Sequence, residues 1–264
     1  MDSARRESLR TTFEEVPELY DRVRPTYPPA LFDELVTLAR LPERGRILEI
    51  GTGPGKATDP LAERGFEIVG IELGERLAAL ARRNLAAFPN VEIVNADFET
   101  WEPPNAEFDA VVSFTAFHWI DPAVRYEKTA ELLRDGGSLA VVQTNHVLPE
   151  GGDPFWIEVE DDYRAVFPAE EAGPPPAPEE VAGTSEEIEA SGRFGRPEVR
   201  RHLWDVTYSA EDYIGVLETY SGHRATEPEL RERLYERIRR RIEARPGGEV
   251  RKSYLALMSV ARKL

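Results

Sequence analysis

The chain contains no cysteine, which excludes disulfide staples, thiolate catalysis and cysteine-ligated zinc together. Its four histidines, His118, His146, His202 and His223, include no pair at H-x-x-x-H spacing, so no metal site is expected. A basic run is also missing. The densest cluster, Arg237 to Arg241, shares its stretch with Leu230, Leu234, Ile238 and Ile242 at helical spacing and reads as the solvated face of an amphipathic helix. With a formal net charge of −16, the chain is not expected to take a nucleic-acid partner, because phosphate binding needs a basic face. Long apolar runs are lacking as well. The longest, Ala110 to Ile120, is interrupted by Ser113, Thr115 and His118 and falls short of the roughly 20 residues a membrane crossing takes. No apolar segment follows Met1 to Arg6, so a secretory leader is not expected and the cytoplasm is the default location.

What is present describes an ordinary globular chain of 264 residues, 41% hydrophobic and 31% charged. The first 150 residues alternate strand-like and helix-like segments, the pattern of a parallel sheet with helices on both faces. Strands are expected at 46–50, 66–72, 91–95, 108–113 and 138–144, with helices at 28–41, 56–64, 73–88 and 122–133 between them. After Gly151-Gly152 the rhythm breaks. Residues 154–167 look helical and aromatic, and 168–184 form a Pro, Ala, Glu and Gly tract that reads as a linker and a candidate lid hinge. A strand at 198–208, helices near 210–221 and 227–244, and a last strand at 253–261 complete the expected order. A single domain follows, divided into an N-terminal helical segment (1–45), a cofactor-binding core (46–150), an insertion (151–196) and C-terminal strands and helices (197–264).

The chemistry begins at Ile47-Leu48-Glu49-Ile50-Gly51-Thr52-Gly53-Pro54-Gly55-Lys56, a strand that runs into a glycine-rich turn. The glycines repeat as G-x-G-x-G and not as the G-x-G-x-x-G of dinucleotide folds. Glu49, an acid beside the turn, suits a positively charged ligand better than a diphosphate. S-adenosylmethionine carries a sulfonium and an ammonium. In such sheets the ligand binds at the C-terminal ends of the strands. The second strand ends at Glu72, about 20 residues after the first glycine, where a carboxylate accepts ribose hydroxyls in nucleotide folds. The third ends in Asn95-Ala96-Asp97-Phe98, an acid for an amino group and a ring to lie against a base. The fourth ends in Ser113-Phe114-Thr115-Ala116-Phe117-His118-Trp119.

With these motifs in place, the chain resembles the class I S-adenosylmethionine-dependent methyltransferases. Glu49 to Gly55 looks like their first motif, and Tyr20 to Pro28 and Ala116-Phe117-His118-Trp119 are similar to a small-molecule branch with trans-aconitate methyltransferase-like members. The resemblance implies a Rossmann-like, doubly wound α/β sheet of seven strands in the order 3-2-1-4-5-7-6, the last antiparallel. It also implies a metal-independent enzyme that moves a methyl group from S-adenosylmethionine to a small organic acceptor and leaves S-adenosylhomocysteine. The backbone of Gly51, Thr52 and Gly53, with Gly55 completing the turn, would hold the methionine portion. Glu72 would take the ribose, Leu73, Asp97 and Phe98 the adenine, and Ser113 and Phe114 the amino-acid end. Tyr20 and Arg24 would close over the cofactor from the N-terminal segment. His118 is the candidate base or a pocket wall, and His118, Trp119 and Tyr220 are candidate substrate contacts. Further aromatics after residue 150, Phe155, Trp156, Trp204, Tyr208 and Tyr213, are candidates for the acceptor pocket, with His223 and Arg224 nearby. The rival readings are a nicotinamide-dependent oxidoreductase and a binding module without turnover. The molecule is expected to be a monomer or homodimer.

Overall fold

The computed structural model describes residues 15–103, 107–168 and 173–264. The leader expectation at Met1 to Arg6 and residues 169–172 of the proline-rich tract lie outside these. Two helices come first, α1 (Pro17–Val23) and α2 (Pro29–Leu38). Both start on proline, where the missing N–H is one that no helix could satisfy anyway. Strand–helix units follow as β1 (Arg46–Ile50), α3 (Thr58–Glu63), β2 (Glu67–Glu72), α4 (Glu75–Asn84), β3 (Val91–Asn95), β4 (Phe108–Phe114), α5 (Pro122–Leu132) and β5 (Leu133–Val147). The later half adds α6 (Phe155–Glu158), α7 (Glu160–Val166), α8 (Ser185–Ala190), β6 (Glu198–Ser209), α9 (Ala210–Glu218), α10 (Ser221–Arg224), α11 (Pro228–Glu243) and β7 (Glu249–Arg262).

The strands form one seven-stranded sheet in the order β3-β2-β1-β4-β5-β7-β6, with β7 antiparallel to both neighbours. This is the Rossmann-like order the resemblance implies. Its direction of build follows from side-chain alternation: Ile47 faces a cluster with Leu31, Phe32 and Leu35 of α2, while Leu48 and Ile50 face Phe108, Val111 and Leu139 on the other side. Strands buried on both faces must read as unbroken apolar runs, and Ile47 and Leu48 are both fully buried. Chain order reverses between β1 and β4, so the crevice for a ligand opens there, above the C-terminal strand ends.

Several boundaries differ from the expectations, each for a local reason. The helix expected at 73–88 starts only at Glu75, because the Glu72 carboxylate accepts the Gly74 N–H and holds Leu73 in a turn. Leu73 therefore stays 37% exposed and does not join the apolar side of the helix. The strand expected at 138–144 begins earlier, at Leu133, and the Asp135-Gly136-Gly137 segment lies in its bulged start, where Gly136 takes a positive φ of 69°. The described part of the proline-rich tract is not loose: Arg201 donates to the carbonyls of Pro178 and Val181, and the Leu148 N–H to that of Pro176. The helix α8 beyond it buries Ile188 against the sheet. The arginine cluster on α11 is only partly solvated, since Arg237 and Arg241 both reach the buried Asp162 and pin α7. No helix among the described residues is long and apolar enough to cross a membrane.

Candidate functional site

The glycine turn after β1 is built from left-handed backbone. Gly51 has φ 74° and Gly53 φ 58°, conformations that side chains resist. At Gly51 there is also no room: an added Cβ would lie 2.3 Å from Ala116 Cβ, so the loop after β4 rests directly on the turn. At Gly53 a Cβ would meet nothing within 4 Å, because that side opens on a cavity. The Gly53 N–H donates to Glu72 Oε2 at 2.7 Å, and Glu72 Oε1 accepts from Gly74 at 2.9 Å. One carboxylate thus locks the turn after β1 to the turn after β2. Glu72 is buried apart from its cavity edge.

Two adjoining cavities sit above these strand ends. The larger, about 500 Å³, is lined among others by Gly51, Gly53, Glu72, Leu73, Asp97, Phe98, His118 and Trp119. The smaller, about 330 Å³, is lined by Glu49, Thr52, Tyr27, His146, Trp204 and Tyr254. They meet along a shared wall that includes Tyr20, Arg24, Phe114, Thr115 and Tyr220. Leu73 is one of few large apolar side chains left open anywhere in the described residues, and it is open onto the larger cavity. An apolar face beside a carboxylate at a strand end fits a nucleoside, with the base against Leu73 and the ribose at Glu72.

Glu49 lies 1% exposed beneath the turn, its Oε2 accepting the Thr58 hydroxyl at 2.7 Å. Burial pushes its pKa up to about 8. The Thr58 bond opposes this, and the Glu72 carboxylate adds to it. The acid therefore exchanges its proton near neutral pH. Arg24 is anchored to the far side of the cleft, with Nε donating to Thr219 Oγ1 at 2.7 Å and Nη2 to the Thr219 carbonyl at 3.0 Å. Its guanidinium lies 4.3 Å from the Tyr220 ring centroid and 5.1 Å from that of Tyr20. The N-terminal segment is clamped over the site in this way.

Not every expected residue reaches a cavity. Ser113 is fully buried and its hydroxyl donates to the Ile50 carbonyl, so it joins β4 to β1 and does not face a ligand. Gly55 (φ 98°) serves packing, since a Cβ there would lie 2.9 Å from Leu85 Cδ1. Phe98 is buried in the sheet core and shows the larger cavity only part of its ring. His118, on a short 3-10 turn (Phe117–Trp119), is exposed at the rim of the larger cavity, its ring 4.7 Å from Trp119. The atoms crowding it, and then the Arg125 charge, lower its pKa, so it is neutral at pH 7. Among the later aromatics, Trp204 and Tyr220 line the cavities. Phe155, Trp156, Tyr208 and Tyr213 belong to the hydrophobic core under α9 and α11. His223 turns away to Tyr163 at 3.3 Å, and Arg224 pairs with Glu15.

Three wall residues had no place among the sequence candidates. Thr115 holds a positive φ of 57°, uncommon for a branched residue, and links Tyr27 (3.3 Å) to Thr144 (3.1 Å). His146 and Tyr254 come from the long β5–β7 pairing, where the two residues are direct partners. Behind Tyr220 stands Lys252, 1% exposed, donating to the Tyr220 hydroxyl at 3.0 Å. Its only signal in sequence is a lysine directly before the apolar part of the last strand. No cluster of potential metal ligands occurs among the described residues.

Residues 47–137 match the family model described as a methyltransferase domain. An uncharacterised methyltransferase of Mycobacterium tuberculosis is 33% identical over 137 residues, 52% of this chain and 54% of that protein. A trans-aconitate 2-methyltransferase of Variovorax paradoxus is 31% identical over 124 residues, 46% and 44% of the two chains. The chain thus spans about half the length of the curated relatives it matches. A solved structure from Anaeromyxobacter dehalogenans, described as a candidate type II methyltransferase, superposes with a TM-score of 0.63 at 24% identity, covering 90% of this chain and 97% of that one. The strand order, the glycine turn with its carboxylate lock and the family model over residues 47–137 agree in likening this part of the chain to a methyltransferase domain.

Proposed function

We propose that this protein transfers a methyl group from S-adenosylmethionine to a small organic acceptor. The observation that carries the reading is the pair of adjoining cavities: one with nucleoside-type walls at Glu72, Leu73 and Asp97, the other only about 330 Å³ and shut in by Tyr27, Trp204 and Tyr254. That smaller volume suits a metabolite-sized ligand and not a macromolecule. When bound, the cofactor supplies an electrophilic methyl group on a sulfonium that is already a good leaving group. What the chain must add is alignment and exclusion of water, an effect worth several kcal/mol, on the order of 7 or more in favourable cases. The Gly51–Gly53 backbone, Glu72 and Leu73 would hold the donor, and the Arg24 clamp on Thr219 would close the cleft.

Calorimetric titration with S-adenosylhomocysteine and, separately, with NAD tests the reading. Binding of the first and not the second is expected. Binding of NAD alone would overturn it, because the open Gly53 side and the Glu72 lock would then serve a dinucleotide.

A further inference from the structure

Tyr220 stands on the wall that the larger and the smaller cavity share, beside Tyr20, Arg24, Phe114 and Thr115. Two cations bear on it. Lys252 Nζ donates to its hydroxyl at 3.0 Å, and the Arg24 guanidinium lies 4.3 Å from its ring centroid. Neither cation has a carboxylate partner among the described residues. Arg24 is spent on Thr219. Lys252 sits in a box of rings, with Trp156, Tyr213 and Tyr254 each between 5.2 and 5.5 Å from Nζ. A buried ammonium without a counter-ion is a costly arrangement that folding alone does not call for. It is relieved if the phenol beside it carries the negative charge.

Resting on the methyltransferase reading above, we propose that Tyr220, held between Lys252 and Arg24 where the two cavities meet, is the general base, and that the methyl acceptor is a small phenolic or enolic hydroxyl compound. In the step, the acceptor oxygen forms its bond to the methyl carbon as the carbon–sulfur bond breaks. That electron pair stays on sulfur, and the hydroxyl proton passes to the Tyr220 oxygen and then to solvent. No further co-reactant is needed. Lys252 remains an ammonium throughout and acts as a positioning residue through its hydrogen bond.

The surroundings agree with this charge state. Burial raises the pKa of Tyr220, but the charges of Lys252 and Arg24 and hydrogen bonds from Lys252 and Tyr254 outweigh it, so the phenol ionises below its usual range. Burial lowers the pKa of Lys252, while Tyr220 opposes that loss. The other titratable groups around the ring are Tyr20 of α1, Tyr163 of α7, Tyr208 of β6, Tyr213 of α9, His223 of α10 and Tyr254 of β7, and none is a carboxylate. Tyr163, Tyr208, Tyr213 and Tyr254 are all pushed up, first by burial and in part by Tyr220 itself. His118, the histidine candidate, lines only the larger cavity.

Two measurements test the proposal. The first needs no acceptor: ultraviolet titration of the tyrosinate band in the whole protein. One tyrosine should ionise below the ordinary value of about 10. That component should vanish in Tyr220→Phe and move to higher pH in Lys252→Met. A wild-type curve with no such component overturns the proposal even if neither variant folds. In the second, S-adenosylmethionine labelled in its methyl group is incubated with a small-molecule filtrate of a bacterial lysate. Label in an alkali-stable product is expected, with transfer falling about 100-fold or more in Tyr220→Phe. The affinity of that variant for S-adenosylhomocysteine should stay within about twofold. Label released by alkali as methanol marks a carboxylate acceptor, which needs no base, and overturns the proposal while leaving the methyltransferase reading intact. Unchanged transfer by Tyr220→Phe overturns it as well. Failure of the wild type to bind S-adenosylhomocysteine would instead overturn the underlying reading.

Discussion

Glu49→Gln should change how the stability of this protein depends on pH. The folded state holds the Glu49 proton up to about pH 8, whereas the unfolded chain releases it near 4.5. A carboxyl whose folded pKa is raised contributes fully below the unfolded value and loses that contribution as pH rises toward the folded one. Each unit of separation corresponds to about 1.4 kcal/mol. Integrated from about pH 5 to about pH 7, Glu49 withdraws roughly 2.5 kcal/mol from the wild type. Glutamine matches the shape, keeps an oxygen for the Thr58 hydroxyl and does not titrate, so the variant lacks this slope. For a chain of this size about 1 kcal/mol moves Tm by roughly 2–4 °C, so the Tm difference between variant and wild type should widen by about 5–10 °C over that interval. The assay is differential scanning calorimetry of both proteins at matched ionic strength. All other titrating groups are common to the two and cancel in the difference. Parallel Tm–pH curves would refute the reasoning and would mean that Glu49 is already ionised at neutral pH, with water or a counter-ion reaching it.

Glu72→Ala removes the acceptor for the Gly53 and Gly74 amides and the proposed ribose partner together, and should weaken S-adenosylhomocysteine binding by about tenfold or more, read by calorimetry. An unchanged Kd would take Glu72 out of the site. Gly51→Ala adds a left-handed strain of about 1 kcal/mol to an overlap with Ala116, and should cost at least about 2 kcal/mol in chemical denaturation. A variant as stable as the wild type would show that the two loops move apart freely. His118→Ala should keep turnover within a few-fold, because His118 borders only the larger cavity. A loss of about 100-fold or more would give it the proton-transfer role assigned here to Tyr220.

The strand-end half of the candidate site was legible because its signals are local. Glu49, the glycine turn, Glu72 and Asp97 each stand at a strand end, and the period of an apolar strand places that end within a residue or two. Ser113 and Gly55 show the limit of such reading. Both belong to the right segments, yet one hydroxyl closes on the Ile50 carbonyl and the other position makes room for Leu85. Sequence spacing gives the loop but not the direction in which an atom points. The aromatics after residue 150 divide between cavity wall and core for a related reason. Trp156 and Trp204 look equally suited to a pocket, but β6 pairing sets Trp204 opposite Tyr254 and beside the cavity, while Trp156 caps Lys252 from within the core.

By itself, then, the sequence determined the alternating α/β sheet, the glycine-rich turn after its first strand and the absence of cysteine chemistry, since each depends on residues close together in the chain or on composition. The meeting of Arg24, Tyr220 and Lys252 was decided only by tertiary structure. These residues stand at positions 24, 220 and 252 and belong to an N-terminal segment, the loop after α9 and the antiparallel strand β7. No local pattern marks such a contact. It exists because the sheet reverses its strand order and folds both ends of the chain over one crevice.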